Sequence, residues 1–136
     1  MIIPQVNQWS KKRDVSIYDI AKEPFILREE GSGTRQMIEK HLNKHGISTH
    51  GIKASMMLGS TEAIKAAVES GIGISIVSRW AARKEKKYGT LKVLSAKEEK
   101  MYRDFSLISN KNTIASHAVD EFLTYLKNYS FEKLIS

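Results

Sequence analysis

The sequence contains no cysteine and no long hydrophobic segment. Without cysteine, disulfide bonds, thiol catalysis and thiolate metal ligands are excluded, although this absence alone does not fix the cellular compartment. The longest near-apolar stretch, residues 71–77, has the length of a strand, whereas a membrane-spanning helix needs about 20 apolar residues. At the N-terminus the charges follow the apolar residues, which is the reverse of a secretory signal. These features favour a cytoplasmic protein that does not associate with a membrane.

The composition is that of one ordinary globular domain, with 41% hydrophobic and 27% charged residues in a chain of 136. The net charge of +7 raises the question of a nucleic-acid ligand. However, the basic residues are dispersed, and the run at residues 83–87 is interrupted by Glu85, which is typical of a solvated helix face. The sequence shows no helix-turn-helix pattern, zinc-finger spacing or RNA-binding strand. We expect an attraction for small anions and no direct contact between this chain and nucleic acid.

Hydrophobic periodicity predicts an α/β fold with a mainly parallel sheet flanked by helices. Strands are expected at residues 24–28, 52–58, 74–77, 91–94 and 105–108. The strand at 52–58 alternates apolar and other residues, which indicates one buried face. Helices are expected from a capping box at Ser16, over residues 35–45 and from Ser60 to Gly71, then from Ser78 to about residue 86. The final helix has the longest apolar stripe: Ile114, Ala115, Ala118, Val119, Phe122, Leu123, Leu126 and Tyr129.

The most informative motif is EEGSGTR at residues 29–35, between a predicted strand and a predicted helix. Its glycines allow a tight turn, and Ser32 and Thr34 could cap the helix. The free amides at a helix N-terminus attract anions, and Arg35 adds a planar donor fork. A P-loop is excluded because its lysine and spacing are missing, and a dinucleotide-binding turn would need glycine where Gln36 stands. An ordinary capped turn without a ligand remains the alternative.

A second turn of the same kind is predicted at Gly59, Ser60 and Thr61. Ligands of open parallel sheets bind at the carboxyl ends of the strands, where both turns are expected. Two helix N-termini could therefore hold one carboxylate, sulfate or phosphate through Ser32, Gly33, Thr34, Arg35, Ser60 and Thr61. The alternative for Ser60 is a cap and nothing more.

Other chemistry finds little support in the sequence. His41 and His45 are spaced i, i+4, and His50 follows, but no third metal ligand is evident, so a solvated helix face is expected and no metal. The serines lack a nucleophile elbow, and the acidic pairs at residues 29–30 and 98–99 are expected on solvated turns. We therefore predict no enzymatic activity and no cofactor.

Three segments together resemble the effector-binding region of LysR-type transcription regulators. They are EPFILREEGSGTR at residues 23–35, LGSTEAIK at residues 58–65 and VESGIGISIV at residues 68–77. The resemblance extends over residues 2–129, with the motifs in the family's order and spacing, and Met1 to Pro4 resembles the strand that crosses between subdomains. One departure is Ser78, where the family usually has proline.

The resemblance implies a two-subdomain sensor of the periplasmic-binding-protein-like (type 2) fold, with ligand in the cleft between subdomains. It implies that residues 1–136 form a fragment, with residues 5–104 as the second subdomain. Residues 105–136 would be the returning strand and a helix that packs on the absent first subdomain. The motif match carries Ser32, Gly33, Thr34, Arg35, Ser60 and Thr61 over as ligand contacts.

By this resemblance the parent protein senses a small anionic metabolite or oxyanion and binds DNA through a winged helix-turn-helix absent from this chain. A transport-type solute-binding protein of the same fold is the alternative; an enzyme of that fold would need an acid–base pair that we do not find. Because the last helix would lack its partner, we expect self-association into a homo-oligomer through Ile114, Ala118, Phe122 and Leu126.

Overall fold

The computed structural model describes residues 1–48, 52–102, 106–108 and 116–130. The strands are β1 (Ile2–Pro4), β2 (Asp14–Val15), β3 (Phe25–Arg28), β4 (Ala54–Leu58), β5 (Leu91–Val93) and β6 (Ser95–Ala96). The helices are α1 (Ile17–Ile20), α2 (Gly33–Lys44), α3 (Thr61–Glu69), α4 (Arg83–Tyr88) and α5 (His117–Asn128). The chain divides into two compact units, Met1–Arg103 and Asp104–Ser136, which are described separately below.

The strands of the first unit are connected through a short segment at Ile74 and Ser75. Ile74 bridges to Phe25 of β3 in parallel, and Ser75 bridges to Ile2 of β1 in antiparallel orientation. β3 pairs in parallel with β4, and β1 pairs antiparallel with β5. The neighbours therefore run β5, β1, residues 74–75, β3, β4, while β2 and β6 form a separate parallel pair.

Helices cover the two faces of this arrangement because successive side chains of a strand point to opposite faces. Phe25 and Leu27 belong to a core cluster that includes Ile38 and Leu42 of α2. Ile26, between them, belongs to a second cluster with Ile64, Ala67 and Val68 of α3. The result is a helix–sheet–helix arrangement, in agreement with the predicted α/β fold class.

The predicted C-terminal ends of two helices, each followed by a glycine, are confirmed. The predicted starts of two helices are wrong. Gly46 and Gly71 follow α2 and α3 with φ of 72° and 78°. α2 begins at Gly33, two residues before its predicted start. The helix expected from Ser78 begins only at Arg83, because the Ser78 hydroxyl accepts a hydrogen bond from the Trp80 N–H at 3.3 Å and stabilises a local turn instead.

The capping box at Ser16 exists in altered form. The Ser16 hydroxyl caps the helix but accepts from the Tyr18 N–H, whereas the predicted capping box would use the Asp19 N–H. A distant carboxylate, that of Glu98, accepts from both the Ser16 hydroxyl and the Ile17 N–H. The N-terminus of α1 is thus stabilised by a residue that local sequence could not identify, and Glu98 is not on a merely solvated turn.

Three strand predictions need correction. The alternation at residues 52–58 predicted a buried face, but residues 54–57 of β4 are exposed, because among the described strands β4 pairs with β3 alone and lies at the edge. The strand predicted at residues 74–77 forms ladder contacts only at Ile74 and Ser75, although Ile76 is also buried. Residues 106–108 are not in a strand, and Phe105 lies outside the described residues.

Candidate functional site

The two predicted ligand turns leave the sheet at the same edge. β3 and β4 are parallel, and Arg28, the last residue of β3, lies opposite Leu58, the last residue of β4. The first turn continues from Arg28 through Gly31, whose φ of 83° is one that favours glycine. The second turn continues from Leu58 through Gly59 to Ser60. The expectation that both turns occupy the carboxyl edge of neighbouring strands is therefore met.

The first turn presents the N-terminus of α2 to this edge. Ser32 is the N-cap residue by backbone conformation, and its carbonyl accepts from the Gln36 N–H at 3.0 Å. Its hydroxyl makes no capping hydrogen bond with the described residues, so the predicted side-chain cap is wrong. Gly33 and Thr34 form the first turn of the helix, which means that Thr34 does not occupy the capping position either. The ligand roles of these residues stay predictions.

The second turn uses its serine as a cap. The Ser60 hydroxyl accepts from the Ala63 N–H at 3.1 Å, which is the N-cap geometry of α3. The Thr61 hydroxyl lies in the first helical turn and accepts from Nη1 of Arg28 at 3.3 Å. The prediction that Ser60 caps the helix is thus confirmed. Its contact with a ligand stays a prediction.

Arg28 joins the two turns and was missed in the sequence. Its Nη2 donates to the Gly59 carbonyl at 3.3 Å, in addition to the Nη1 bond to Thr61. The side chain is only 20% exposed and also forms a close ion pair with Glu29. A guanidinium fixed at the end of a strand, between two helix N-termini, is well placed to bind a carboxylate or phosphate. The signal that could have found it is its position as the last strand residue before the turn.

Arg35 lies in the first turn of α2. Its Nε donates to Glu39 at 2.8 Å, its Nη1 donates to the Arg28 carbonyl at 3.4 Å, and its Nη2 is 3.8 Å from Glu30. Residues of the turn and of the first two turns of α2 line an open concavity of about 260 Å³: Glu30, Gly31, Arg35, Gln36 and Glu39. The fork predicted for Arg35 is therefore partly occupied, by the Glu39 carboxylate at Nε and by the Arg28 carbonyl at Nη1.

The edge carries charges of both signs. Two guanidinium groups, those of Arg28 and Arg35, face the carboxylates of Glu29, Glu30 and Glu39. The hydrogen bonds from Arg28 hold the pKa of Glu29 below its usual value, so this carboxylate is ionised near neutral pH. An anionic ligand would thus have to compete with internal carboxylates for the guanidinium groups.

The histidines on α2 do not form a solvated face. His41 and His45 are mostly buried against Glu99, whose Oε1 lies 3.7 and 3.4 Å from their Nε2 atoms. Lys44 also pairs with Glu99. The prediction that Glu99 lies on a solvated turn is therefore wrong. Among the residues that the structure describes, no group of three histidine, aspartate or glutamate side chains is arranged to hold a metal ion. His50 lies outside the described residues.

The second unit contains α5, the helix predicted to mediate self-association. Ala118 and Phe122 are exposed, with 57% exposure at Phe122, and Leu126 is partly buried; Ile114 lies outside the described residues. Near its C-terminus, Tyr125, Asn128, Tyr129 and Ser130 line an open concavity of about 390 Å³. The described apolar residues of this helix are therefore largely exposed.

None of the described helices is both long and apolar enough to cross a membrane.

The family model for the LysR substrate binding domain matches residues 1–130 of this chain. The chain belongs to the LysR substrate-binding domain family. This match covers both ligand turns and α5, so the resemblance stated from the three sequence motifs is confirmed.

Curated relatives of this LysR domain are transcription regulators. An uncharacterised HTH-type transcriptional regulator of Methanocaldococcus jannaschii is 33% identical over 126 residues, which are 93% of this chain and 43% of that protein. The HTH-type transcriptional activator CmpR of Synechocystis is 34% identical over 116 residues, which are 85% of this chain and 37% of that protein. The chain thus spans less than half the length of these relatives, and they favour the regulator over the transport protein.

Solved structures confirm the periplasmic-binding-protein-like type 2 fold. The regulatory domain of CcmR from Synechocystis, solved in complex with 2-PG, matches with a TM-score of 0.80 and 30% identity, over 92% of this chain and 59% of that one. The effector-binding domain of QuiR, solved in complex with shikimate, matches with a TM-score of 0.79 and 23% identity, over 95% of this chain and 61% of that one. The QuiR match shows the shared fold alone.

Proposed function

We propose that this LysR effector-binding domain binds a small anionic metabolite at the sheet edge where its two turns meet. The observation that carries the proposal is the position of Arg28, whose guanidinium leaves the end of β3 and reaches Gly59 and Thr61 of the second turn. A group bound to Arg28 would therefore lie beside both turns. Arg35 adds a second positive charge near the end of β3, where its Nη1 donates to the Arg28 carbonyl.

The chemistry of this edge fits a carboxylate or a phosphate. Both groups accept parallel hydrogen bonds from a guanidinium, and backbone amides at the N-terminus of a helix favour negative charge. In this proposal Ser32, Gly33 and Thr34 supply such donors from α2, while Ser60 and Thr61 do so from α3. The ligand in the CcmR complex, 2-phosphoglycolate, is a small anion, which supports this class of ligand.

We further propose that the parent protein is a cytoplasmic DNA-binding regulator without catalytic activity. In this account DNA is bound by a winged helix-turn-helix domain outside the 136 residues, and the first subdomain completes the ligand cleft that this chain, the second subdomain, provides in part. Ligand binding would shift closure of the cleft and so reorient the DNA-binding domains. Support comes from the regulators among the relatives, of which this chain covers less than half.

Isothermal titration with 2-phosphoglycolate, shikimate and inorganic phosphate tests the ligand site. Replacing Ser32 and Thr34 together by alanine should weaken binding by about tenfold or more, because hydrogen bonds to a charged group are each worth about 1.5–3 kcal/mol. Ser78→Ala with Thr90→Ala is the matched control, since it removes one serine and one threonine hydroxyl that bond elsewhere, to Trp80 and Glu69. Binding that survives the first pair of substitutions would exclude the proposed turn.

The exposed stripe of α5 supports a second proposal, that this chain forms homo-oligomers. Val119, Phe122 and Tyr125 are all more than two-fifths exposed on this helix, and exposed apolar patches of this kind drive association. Self-association through Ile114, Ala118, Phe122 and Leu126 would remove the stripe from water. Light scattering at high protein concentration tests the proposal.

A further inference from the structure

One edge of the Arg28 guanidinium already binds a carboxylate of the protein, that of Glu29, as it would bind the carboxylate of a ligand. Nε donates to Oε2 of Glu29 and Nη2 donates to Oε1, both at 2.7 Å. This pair of parallel bonds is the arrangement by which a guanidinium recognises a free carboxylate. The opposite side of the group, through Nη1 and the second proton of Nη2, bonds Thr61 and the Gly59 carbonyl of the second turn. One edge of the Arg28 guanidinium therefore holds the second turn, and the Nε–Nη2 edge holds Glu29.

Glu29 is able to leave this position. Its side chain is 45% exposed, whereas that of Arg28 is 20% exposed, so rotation of Glu29 moves its carboxylate into water while Arg28 stays fixed by the second turn. A partly exposed ion pair typically gives up to about a fivefold preference in an equilibrium, and the bidentate geometry of this pair places it at or above the upper end of that range. A bound anion with good geometry can therefore replace it.

We infer that Glu29 is an internal competitor for the effector, holding the Nε–Nη2 edge of Arg28 until the carboxylate or phosphate of a ligand displaces it. The inference deepens the proposed function and rests on it. It makes Arg28 the residue that selects the anionic group, because only a ligand with two suitably spaced oxygens can replace both bonds. Neutral polyols cannot replace both bonds, so we expect the site not to bind them.

Competition has a quantitative signature that general repulsion lacks. If the ligand binds only the fraction of molecules in which Arg28 is open, removing the competitor improves the affinity for every ligand that uses Arg28 by the same factor. General repulsion by a negative charge instead grows with the charge of the ligand. Shikimate, with one carboxylate, and 2-phosphoglycolate, with a carboxylate and a phosphate, separate the two cases.

Glu30 provides the matched control within the same turn. It is the next residue, its side chain is 85% exposed, and its closest cationic partner is Arg35, at 3.8 Å. Glu30→Gln removes the same charge from the same loop without opening Arg28. The two variants therefore compare a carboxylate that holds Arg28 through two hydrogen bonds with one that lies only at ion-pair distance from Arg35.

The experiment is a titration of the wild-type chain and both variants with 2-phosphoglycolate and with shikimate, after denaturation midpoints have shown that all three are folded. We expect Glu29→Gln to tighten binding of both ligands by about fivefold, and Glu30→Gln by less than about twofold. Equal gains from the two variants, or a gain from Glu29→Gln that is much larger for 2-phosphoglycolate than for shikimate, would overturn the inference.

Failure of the proposed function gives a different result. If the wild-type chain and both variants bind neither ligand, the proposed anion site does not exist, and no ligand is available to displace Glu29. If the wild type binds and the paired Ser32→Ala and Thr34→Ala substitutions weaken binding by about tenfold or more, the anion site stands. In that case a Glu29→Gln variant with unchanged affinity would exclude only the competition by Glu29. The Arg28 Nε–H resonance gives a further readout, because it should shift on Glu29→Gln and not on Glu30→Gln.

Discussion

Replacement of Gly73 by alanine should disrupt the connection at the centre of the sheet. A Cβ added to Gly73 would lie 2.4 Å from the Pro24 carbonyl oxygen and 3.1 Å from its carbon. These are backbone atoms, so the contact cannot be relieved by a change of rotamer. The same carbonyl accepts the hydrogen bond from the Ile74 N–H at 2.9 Å, which helps to join the segment at residues 74–75 to β3.

The expected cost follows from these two contacts. Overpacking in a well-packed interior costs about 1–3 kcal/mol, and the hydrogen bond that must lengthen contributes about 1 kcal/mol. The free energy of unfolding should fall by about 3 kcal/mol. With a urea m-value of about 2 kcal/mol per molar, the denaturation midpoint falls by about 1.5 M.

Gly59→Ala is the control for this measurement. A Cβ added to Gly59 meets no heavy atom of the described residues within 4 Å, and its φ lies outside the range that disfavours side chains. Its free energy of unfolding should stay within about 0.5 kcal/mol of the wild type, so that its denaturation midpoint is nearly unchanged. Equal midpoints for the two variants, monitored by far-UV circular dichroism, would refute the packing argument.

Three further predictions concern charge and association. Lys65 is 7% exposed and pairs with Glu85, so Lys65→Met should destabilise the chain by about 3 kcal/mol in urea denaturation, and the double variant Lys65→Met with Glu85→Met by less than the sum of the two single changes. The hydrogen bond from Lys44, with the positive charges around it, holds the pKa of Glu99 low. The stabilisation from Glu99 is therefore present near neutral pH and lost as the pH falls through that lowered pKa, so wild type and Glu99→Gln should differ in denaturation midpoint at about pH 6, and the difference should shrink as the pH falls below the ordinary pKa of a glutamate. Phe122→Glu should reduce self-association in sedimentation velocity experiments, and a wild-type chain that stays monomeric at high concentration would contradict the proposed interface.

Local signals predicted much of the fold because they act within a few residues. Gly46 and Gly71 end their helices at the positions expected for a left-handed residue after the last turn. The strand before the first turn and the cap at Ser60 depend on the same kind of short-range pattern. These elements also carry the motifs through which the family resemblance was found.

The remaining features depend on contacts between distant residues. The role of Arg28 arises from Gly59 and Thr61, more than 30 residues later, which only the parallel register of β3 and β4 brings within reach. The Glu98 cap on α1 joins residues 82 apart. β2 and β6 are two residues each, too short to produce a period in the sequence.

The most direct test of the ligand site is a ¹H–¹⁵N NMR titration of the labelled chain with 2-phosphoglycolate. The account predicts that the amides of residues 31–35 and 59–61 shift together and fit one dissociation constant, while those of α4 remain unchanged. Saturable shifts confined to other parts of the chain, or to one of the two turns, would contradict a shared anion site.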